Sequence, residues 1–205
     1  MSGISRRSSL AAIVSALAVG VSAAPFAALA SDIAQQARGF VEQSAARARA
    51  EAPAVKASGD ARSRFAQLFS GTFDIDTLAR NVMGSRWSGL SEAQRLEFRD
   101  AFGAYVIKTY ADRFYTYAGQ PMEVIGSESV ASGAVAVRTI VRPEGGAAVP
   151  VEWQVAQVAA GMRVTDVVID GVSLIRTQRD EFASVMRANG GDIAKLTALL
   201  AERAR

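Results

Sequence analysis

Few residues of this chain can do chemistry, because the sequence contains neither cysteine nor histidine. Their absence removes the usual imidazole base, thiol nucleophiles, disulfide bonds and nearly every zinc or transition-metal site. The best remaining constellation is the carboxylate of Asp166, in an apolar strand, with the phenols of Tyr105 and Tyr110 from a long helical segment. A carboxylate base and tyrosine donors in an apolar pocket are what ketosteroid isomerase uses on a curved sheet.

A structural role for Asp166 is the alternative, and its surroundings favour it. Ser173 follows just after a turn, and Arg179 stands on the next helical segment. A turn hydrogen bond or a salt bridge from Asp166 would pin the strand to that helix. Because buried ion pairs perturb carboxylates without any chemistry, we predict no catalytic residue, no cofactor and no metal. A small-molecule enzyme using Asp166 and a tyrosine stays open as an alternative.

Length and charge further limit the number of domains and the classes of function. The 205 residues, half of them hydrophobic, can bury one substantial core, which favours a single domain. Removing Arg6 and Arg7 with a leader would leave 21 basic and 20 acidic residues, since 23 − 2 = 21. This balance lacks the excess of Lys and Arg that nucleic-acid binding requires.

The first thirty residues have the pattern of an export signal. A basic start at Arg6-Arg7 precedes an apolar stretch from Leu10 to Ala24 and an A-x-A site at Ala28 to Ala30. The apolar stretch is shorter than the roughly 20 residues that span a bilayer. We predict a signal peptide at residues 1–30, cleaved after Ala30, and a domain at 31–205 in the periplasm, with the Sec and twin-arginine routes both open.

Helical patterns fill the first half of the expected domain. An amphipathic helix with Ala37, Phe40 and Val41 on one side comes first. Asp74 caps a later short helix, which ends at Gly84. Ser91 and Gln94 form a capping box that opens the longest helical pattern of the chain. That long helix is aromatic on more than one side, so we expect a sheet against one face and smaller helices against the other.

Alternation replaces the helical period after Pro121. Candidate strands cover Met122 to Ser129, Ala134 to Arg142, Val149 to Val158 and Arg163 to Ile169, joined by short links that contain glycine. Two further helices follow the turn at Asp170-Gly171. This order predicts an α+β fold: a curved four-stranded antiparallel sheet of NTF2-like type, packed with several helices around an apolar cavity.

Several motifs resemble a known family. They are the run D-V-V-I-D-G-V-S-L at 166–174 with Arg179-x-x-Phe182, Phe73-Asp74, Gly84 through Trp87, and Gln94-x-x-x-Phe98. Together they resemble the MlaC or toluene-tolerance family of periplasmic phospholipid carriers. The resemblance implies a monomeric shuttle that holds the acyl tails of a phospholipid in a buried cavity and makes no use of catalysis. It also implies transient docking to an outer-membrane lipoprotein–porin complex and to an inner-membrane ABC transporter with an MCE-domain protein, while a hopanoid cargo stays open.

We expect the tails to lie between the long helix and the inner face of the sheet. The residues predicted to line this lipid-binding cavity come from both elements: Tyr105, Val106, Tyr110, Val137, Trp153, Val155, Val167 and Ile169. A one-residue error of face would replace half of them. The same apolar stripes would also describe a filled core.

Overall fold

The computed structural model describes residues 24–205, with side-chain environments from residue 31 onwards. Its elements, in chain order, are the helices α1 (Ala24–Ser58), α2 (Ala61–Thr72), α3 (Ile75–Met83) and α4 (Glu92–Ala118), the strands β1 (Met122–Ser129), β2 (Val135–Val141), β3 (Val149–Val158), β4 (Gly161–Ile169) and β5 (Val172–Ser173), and the helices α5 (Leu174–Ala188) and α6 (Ile193–Arg203). A 3₁₀ turn, Gly84–Gly89, joins α3 to α4. The predicted signal peptide lies outside the described residues, apart from the backbone of 24–30 at the start of α1.

The strands form one antiparallel sheet in the order β1-β2-β3-β4-β5. The prediction of an α+β fold is confirmed, but the prediction of four strands is wrong. At the turn after β4, Asp170 and Gly171 both have positive φ, 50° and 79°, as a two-residue hairpin requires. The chain therefore folds back to pair Val172 with Ile169, and a fifth strand of two residues precedes α5.

A β-bulge in β4 changes which side chains face inward. Val155 pairs with Val164, but Gln154 pairs with Asp166, so Thr165 is an extra residue. Strict alternation would place Val164 and Val167 on opposite faces, yet both are buried in the same cluster on the inner face. The bulge thus adds Val164 to the apolar face of the sheet.

Helix α1, rather than the long helix α4, lies along the sheet. It contacts β1, β2 and β3, whereas α4 packs mainly against α6, α2, α1 and α3. The expectation that a sheet would cover one face of α4 is wrong. Its many aromatic residues are buried by other helices instead, because the fold places it inside a helical layer.

The predicted helix ends are confirmed where caps mark them. The Asp74 carboxylate accepts from the Thr77 backbone N–H at 3.3 Å, and Ser91 with Gln94 forms a complete capping box. Asp192 caps α6 through the N–H groups of Ala194 and Lys195. None of the described helices combines the length and apolarity that crossing a bilayer requires.

Candidate functional site: an apolar cavity between two cores

Two separate hydrophobic cores make up the interior. The helical core contains buried residues of α2 to α6, including Phe98, Phe102 and Phe182. The sheet core contains the inner face of the sheet with Ala37 and Val41 of α1. Phe73, between α2 and α3, packs against both. We call the boundary where these two cores meet the seam.

A small cavity of about 40 Å³ lies at the seam. α1 covers one side of it, α2 and α4 a second, and the sheet a third. Its lining is apolar except for two hydroxyl-bearing residues, and comprises Phe40, Val41, Ser44, Ala45, Leu68, Thr72, Phe73, Phe114, Trp153 and Val164. A space of this composition favours hydrocarbon, and none of its lining residues carries a charge.

Hydrogen bonds fix the sheet side of the cavity. The indole N–H of Trp153 donates to the Thr139 hydroxyl at 3.1 Å, and that hydroxyl donates to the Val151 carbonyl at 2.9 Å. Thr139 is only 1 % exposed, so the chain of bonds is buried. The indole ring is therefore held in one orientation at the cavity, with its polar atom satisfied.

Stacked aromatic rings form the helical side. Phe73 stacks on Phe69 with ring centroids 4.7 Å apart, and Phe114 contacts Phe65 at 5.0 Å. The Asp74 N–H also donates to the Val164 carbonyl at 3.2 Å, which ties the α2–α3 junction to β4. The aromatic contacts on this side of the cavity are between apolar groups.

The structure divides the predicted lining residues between the two cores. Val137, Val155 and Val167 are buried together in the sheet core, and Trp153 lines the cavity. Tyr105 is buried in the helical core, with Val106 and Tyr110 packed against it. Ile169 is 38 % exposed at the end of β4. The lipid contacts themselves stay a prediction for all eight residues.

Tyr110 belongs to the helical core and has a perturbed phenol. Burial raises its pKa, with Tyr105 and Glu181 as further raising causes and Arg113 acting in the opposite direction. The Asp166 carboxylate accepts hydrogen bonds from Ser173, Val167 and Ile175 rather than from Tyr105 or Tyr110, so the described residues do not assemble the constellation that an isomerase-like site requires.

Sequence reasoning missed most of the cavity lining. The apolar stripe of α1 was recognised through Ala37, Phe40 and Val41, but an amphipathic stripe does not say which surface it will cover. Phe73 stands in a family-like motif without any sign of its place between two cores. Phe114 is one aromatic among several on α4. The sequence patterns did not indicate that α1 packs against the sheet. Only the tertiary structure shows this contact.

Asp166 has the structural role that its surroundings favoured. Its carboxylate accepts hydrogen bonds from the Ser173 hydroxyl at 2.5 Å, from the Val167 N–H at 2.7 Å and from the Ile175 N–H at 3.2 Å. The bonds from Ser173 and Ile175 join β4 to the start of α5. Of the two interactions considered for Asp166, the structure has the turn hydrogen bond, whereas the Arg179 guanidinium donates to the Asn81 carbonyl at 2.9 Å and so fastens α5 to the end of α3.

Comparison with known proteins agrees with this architecture. The sequence model described as MlaC protein matches residues 41–202 of the chain. The chain belongs to the MlaC family. This match includes every cavity-lining residue except Phe40.

Two individual proteins are also similar to this chain. The toluene tolerance protein ttg2D of Pseudomonas putida is 23 % identical over 123 residues, which cover 60 % of this chain and 57 % of that protein. The match therefore spans less than two thirds of that relative. A phospholipid-binding protein of Ralstonia solanacearum, whose structure holds a phospholipid, is 25 % identical with a TM-score of 0.68 over 82 % of this chain and 97 % of that one.

Family membership also decides the question of catalysis. The MlaC proteins are lipid carriers, so the prediction that this chain is not an enzyme is confirmed. The isomerase-like alternative is wrong, in agreement with the bonded state of Asp166. Among the described residues, no cluster of acidic side chains could hold a metal ion.

Proposed function

We propose that this chain is a periplasmic carrier that binds a phospholipid by its acyl chains at the seam between its two cores. The observation that carries the proposal is the apolar cavity at the seam, in a chain of the MlaC family whose fold matches a protein crystallised with a phospholipid. Residues 1–30 are a signal peptide cleaved after Ala30, and residues 31–205 are the lipid-binding domain.

The cavity is too small for an acyl chain in this structure. Its volume of about 40 Å³ is far below the 300 Å³ or more of ordinary ligand pockets. A lipid therefore enters by separating the surfaces that meet at the seam. The apolar nature of these surfaces lets acyl chains replace protein contacts with contacts of the same kind, so insertion and release are close to neutral in free energy.

The same physics requires transfer by docking. Two acyl tails carry on the order of 30 methylenes, each favoured out of water by about 0.8 kcal/mol, so escape through the aqueous phase is extremely slow. We propose that the carrier docks as a monomer to an outer-membrane lipoprotein–porin complex and to an inner-membrane ABC transporter with an MCE-domain protein. An NTF2-like curvature of the sheet would shape the lipid-filled state.

Lipid analysis of the natively purified protein tests the proposal. The protein is isolated from the periplasm without detergent, extracted with organic solvent and analysed by mass spectrometry. We expect phospholipid in roughly equimolar amount to protein. Protein that is folded and consistently free of lipid would contradict the proposal, and a hopanoid in place of phospholipid would replace its cargo.

A pair of neighbouring substitutions locates the site. Ala45 lines the cavity, whereas Ala46 is exposed on the other side of α1. We expect Ala45→Phe to fill the cavity and strongly reduce the phospholipid that co-purifies, and Ala46→Phe to leave it unchanged. Circular dichroism checks that both variants fold. Equal lipid content in both would show that the tails do not enter at the seam.

A further inference from the structure

The first half of α1 occupies the inner face of the sheet. Ala37 and Val41 are 0 % and 3 % exposed in the sheet core, and Ala34 and Phe40 pack against it. This half also contributes the residues from Phe40 to Ala45 that line the cavity. The apolar surface most suited to acyl chains is thus already covered by a segment of the protein.

Polar bonds contribute little to holding α1 in place. Among the described residues, one hydrogen bond joins the α1 side chains to another element, from the Tyr115 hydroxyl of α4 to the Glu51 carboxylate at 3.3 Å. That bond lies beyond the cavity-lining segment. Arg38 and Glu42 pair with each other within α1. Residues 31–50 are therefore held on the sheet by apolar contacts.

The second half of α1 has a different anchorage. Ala52 approaches Gly119 at the end of α4, and Val55 is 3 % exposed. Pro53 stands between these two residues, inside the helix. Proline has no N–H to donate to the Arg49 carbonyl and its ring crowds that carbonyl, so the helix is weakest there.

We propose that residues 31–50 of α1 form a displaceable plug, which acyl chains lift from the sheet while the part of α1 from Glu51 onwards stays anchored to α4 through the Tyr115–Glu51 hydrogen bond and the contact of Ala52 with Gly119. This inference rests on the proposed function and specifies how the site opens. Displacement exchanges apolar contacts for apolar contacts and breaks no hydrogen bond to the sheet, so it needs no external energy source. On release of the lipid, the plug returns and covers the apolar face, which protects it from aggregation.

Distance measurements between spin labels test the plug directly. The chain has no native cysteine, so labels attach only where cysteines are introduced. One pair, Gln43→Cys with Ser129→Cys, reports the plug against the sheet, and a control pair, Lys56→Cys with Asp112→Cys, reports the anchored half against α4. All four positions are exposed. The distances are compared with and without dioleoyl phosphatidylglycerol.

We expect the first distance to lengthen by several ångströms on lipid loading and the control distance to stay constant. An unchanged first distance in loaded protein would overturn the plug, and a change in both would overturn the hinge at Pro53. One-to-one loading is verified beforehand by mass spectrometry. Failure to load counts against the proposed function, whereas an unchanged distance in loaded protein counts against the plug alone.

A second test asks whether Phe40→Ala raises or lowers the affinity for phosphatidylglycerol. If Phe40 belongs to a plug, Phe40→Ala weakens its hold on the sheet and the protein binds phosphatidylglycerol several-fold more tightly. If Phe40 is instead a permanent wall of the lipid site, the truncation removes contacts and weakens binding, which would overturn the proposal. Ile33→Ala is the control, because Ile33 is 42 % exposed on the same helix and we expect no change in affinity.

Discussion

The carboxylate of Asp166 accepts three hydrogen bonds, and the two from Ser173 and Ile175 join β4 to the start of α5. We expect Asp166→Asn to lower the free energy of unfolding by about 1–2 kcal/mol, because the amide presents a donor where the carboxylate accepts from Ser173. Urea denaturation measures the change. Phospholipid retention should stay at the wild-type level, since these bonds lie away from the cavity lining.

Asp170→Asn is the matched control for this charge removal. Asp170 is exposed, and its φ of 50° suits asparagine as well as aspartate. We expect a change within about 0.5 kcal/mol. A variant at Asp166 that keeps full stability but loses lipid would mean that the carboxylate acts on the ligand.

Tyr115 gives a prediction about pH. Burial, followed by the neighbouring Glu51, raises the pKa of Tyr115 from 10.0 to about 12. Between these values the unfolded chain has released the phenol proton and the folded protein has kept it. The free energy of unfolding therefore falls as pH rises from 10 to 12, and this contribution is fully present below pH 10.

Tyr115→Phe isolates that contribution from the titration of other groups. We expect the wild-type stability to fall more steeply than that of the variant across this pH range, with parallel behaviour below pH 10. Urea denaturation at each pH measures both proteins. Parallel curves throughout would show that the environment of Tyr115 does not favour the neutral phenol.

At the scale of elements, the junction after α3 depends on one glycine. Gly84 ends α3 with φ 56° and ψ −132°, a conformation that a side chain strongly disfavours, and it lies beside the Arg179 side chain that binds Asn81. We expect Gly84→Ala to cost roughly 1–3 kcal/mol of stability. Calorimetry would show this as a lower melting temperature.

Gly89→Ala is the control at the other end of the same 3₁₀ turn. A Cβ at Gly89 would meet no atom within 4 Å, and its φ is not positive. Its melting temperature should stay near that of the wild type. Equal losses at both positions would point to flexibility of the turn rather than to the special backbone of Gly84.

The comparison of predicted and observed strands shows which features of a sequence mark the bounds of an element. β1 and β3 have the predicted bounds, because both runs alternate, Pro121 marks the start of β1, and glycine-bearing links mark its end and both ends of β3. β5 was not predicted, since two residues cannot display a period. The bulge at Thr165 was missed for a related reason: an inserted residue changes the face of its neighbours without changing the composition of the run.

At the scale of the whole molecule, the position of the cavity depends on long-range contacts, which are harder to predict from sequence patterns. Periodicity showed that α1 and α4 each carry apolar residues, but not that α1 would cover the sheet. The predicted lining therefore combined Val137 and Trp153 of one core with Tyr105 of the other. The family resemblance supplied the expectation of a cavity, while its place at the seam followed only from the contacts of Phe73 and Phe114.

This arrangement explains how a protein with a cavity of only about 40 Å³ can serve as a lipid carrier. Each core buries its own large side chains, so the seam opens without exposing the centre of either one. A helix held on the sheet by apolar contacts gives the ligand a surface that it can take over. Under the proposed function, affinity comes from hydrocarbon burial, and release depends on a membrane or partner that offers the same environment.

Photo-crosslinking tests the central claim, that acyl chains lie at the seam, most directly. A phosphatidylglycerol with a diazirine near the end of one acyl chain is loaded, irradiated, and its attachment sites are identified by peptide mass spectrometry. We predict crosslinks at Leu68, Thr72, Phe73, Phe114, Trp153 and Val164, which line the cavity on the sides formed by α2, α4 and the sheet. Crosslinks confined to exposed apolar residues such as Ile125 or Val172, with none at the seam, would contradict it.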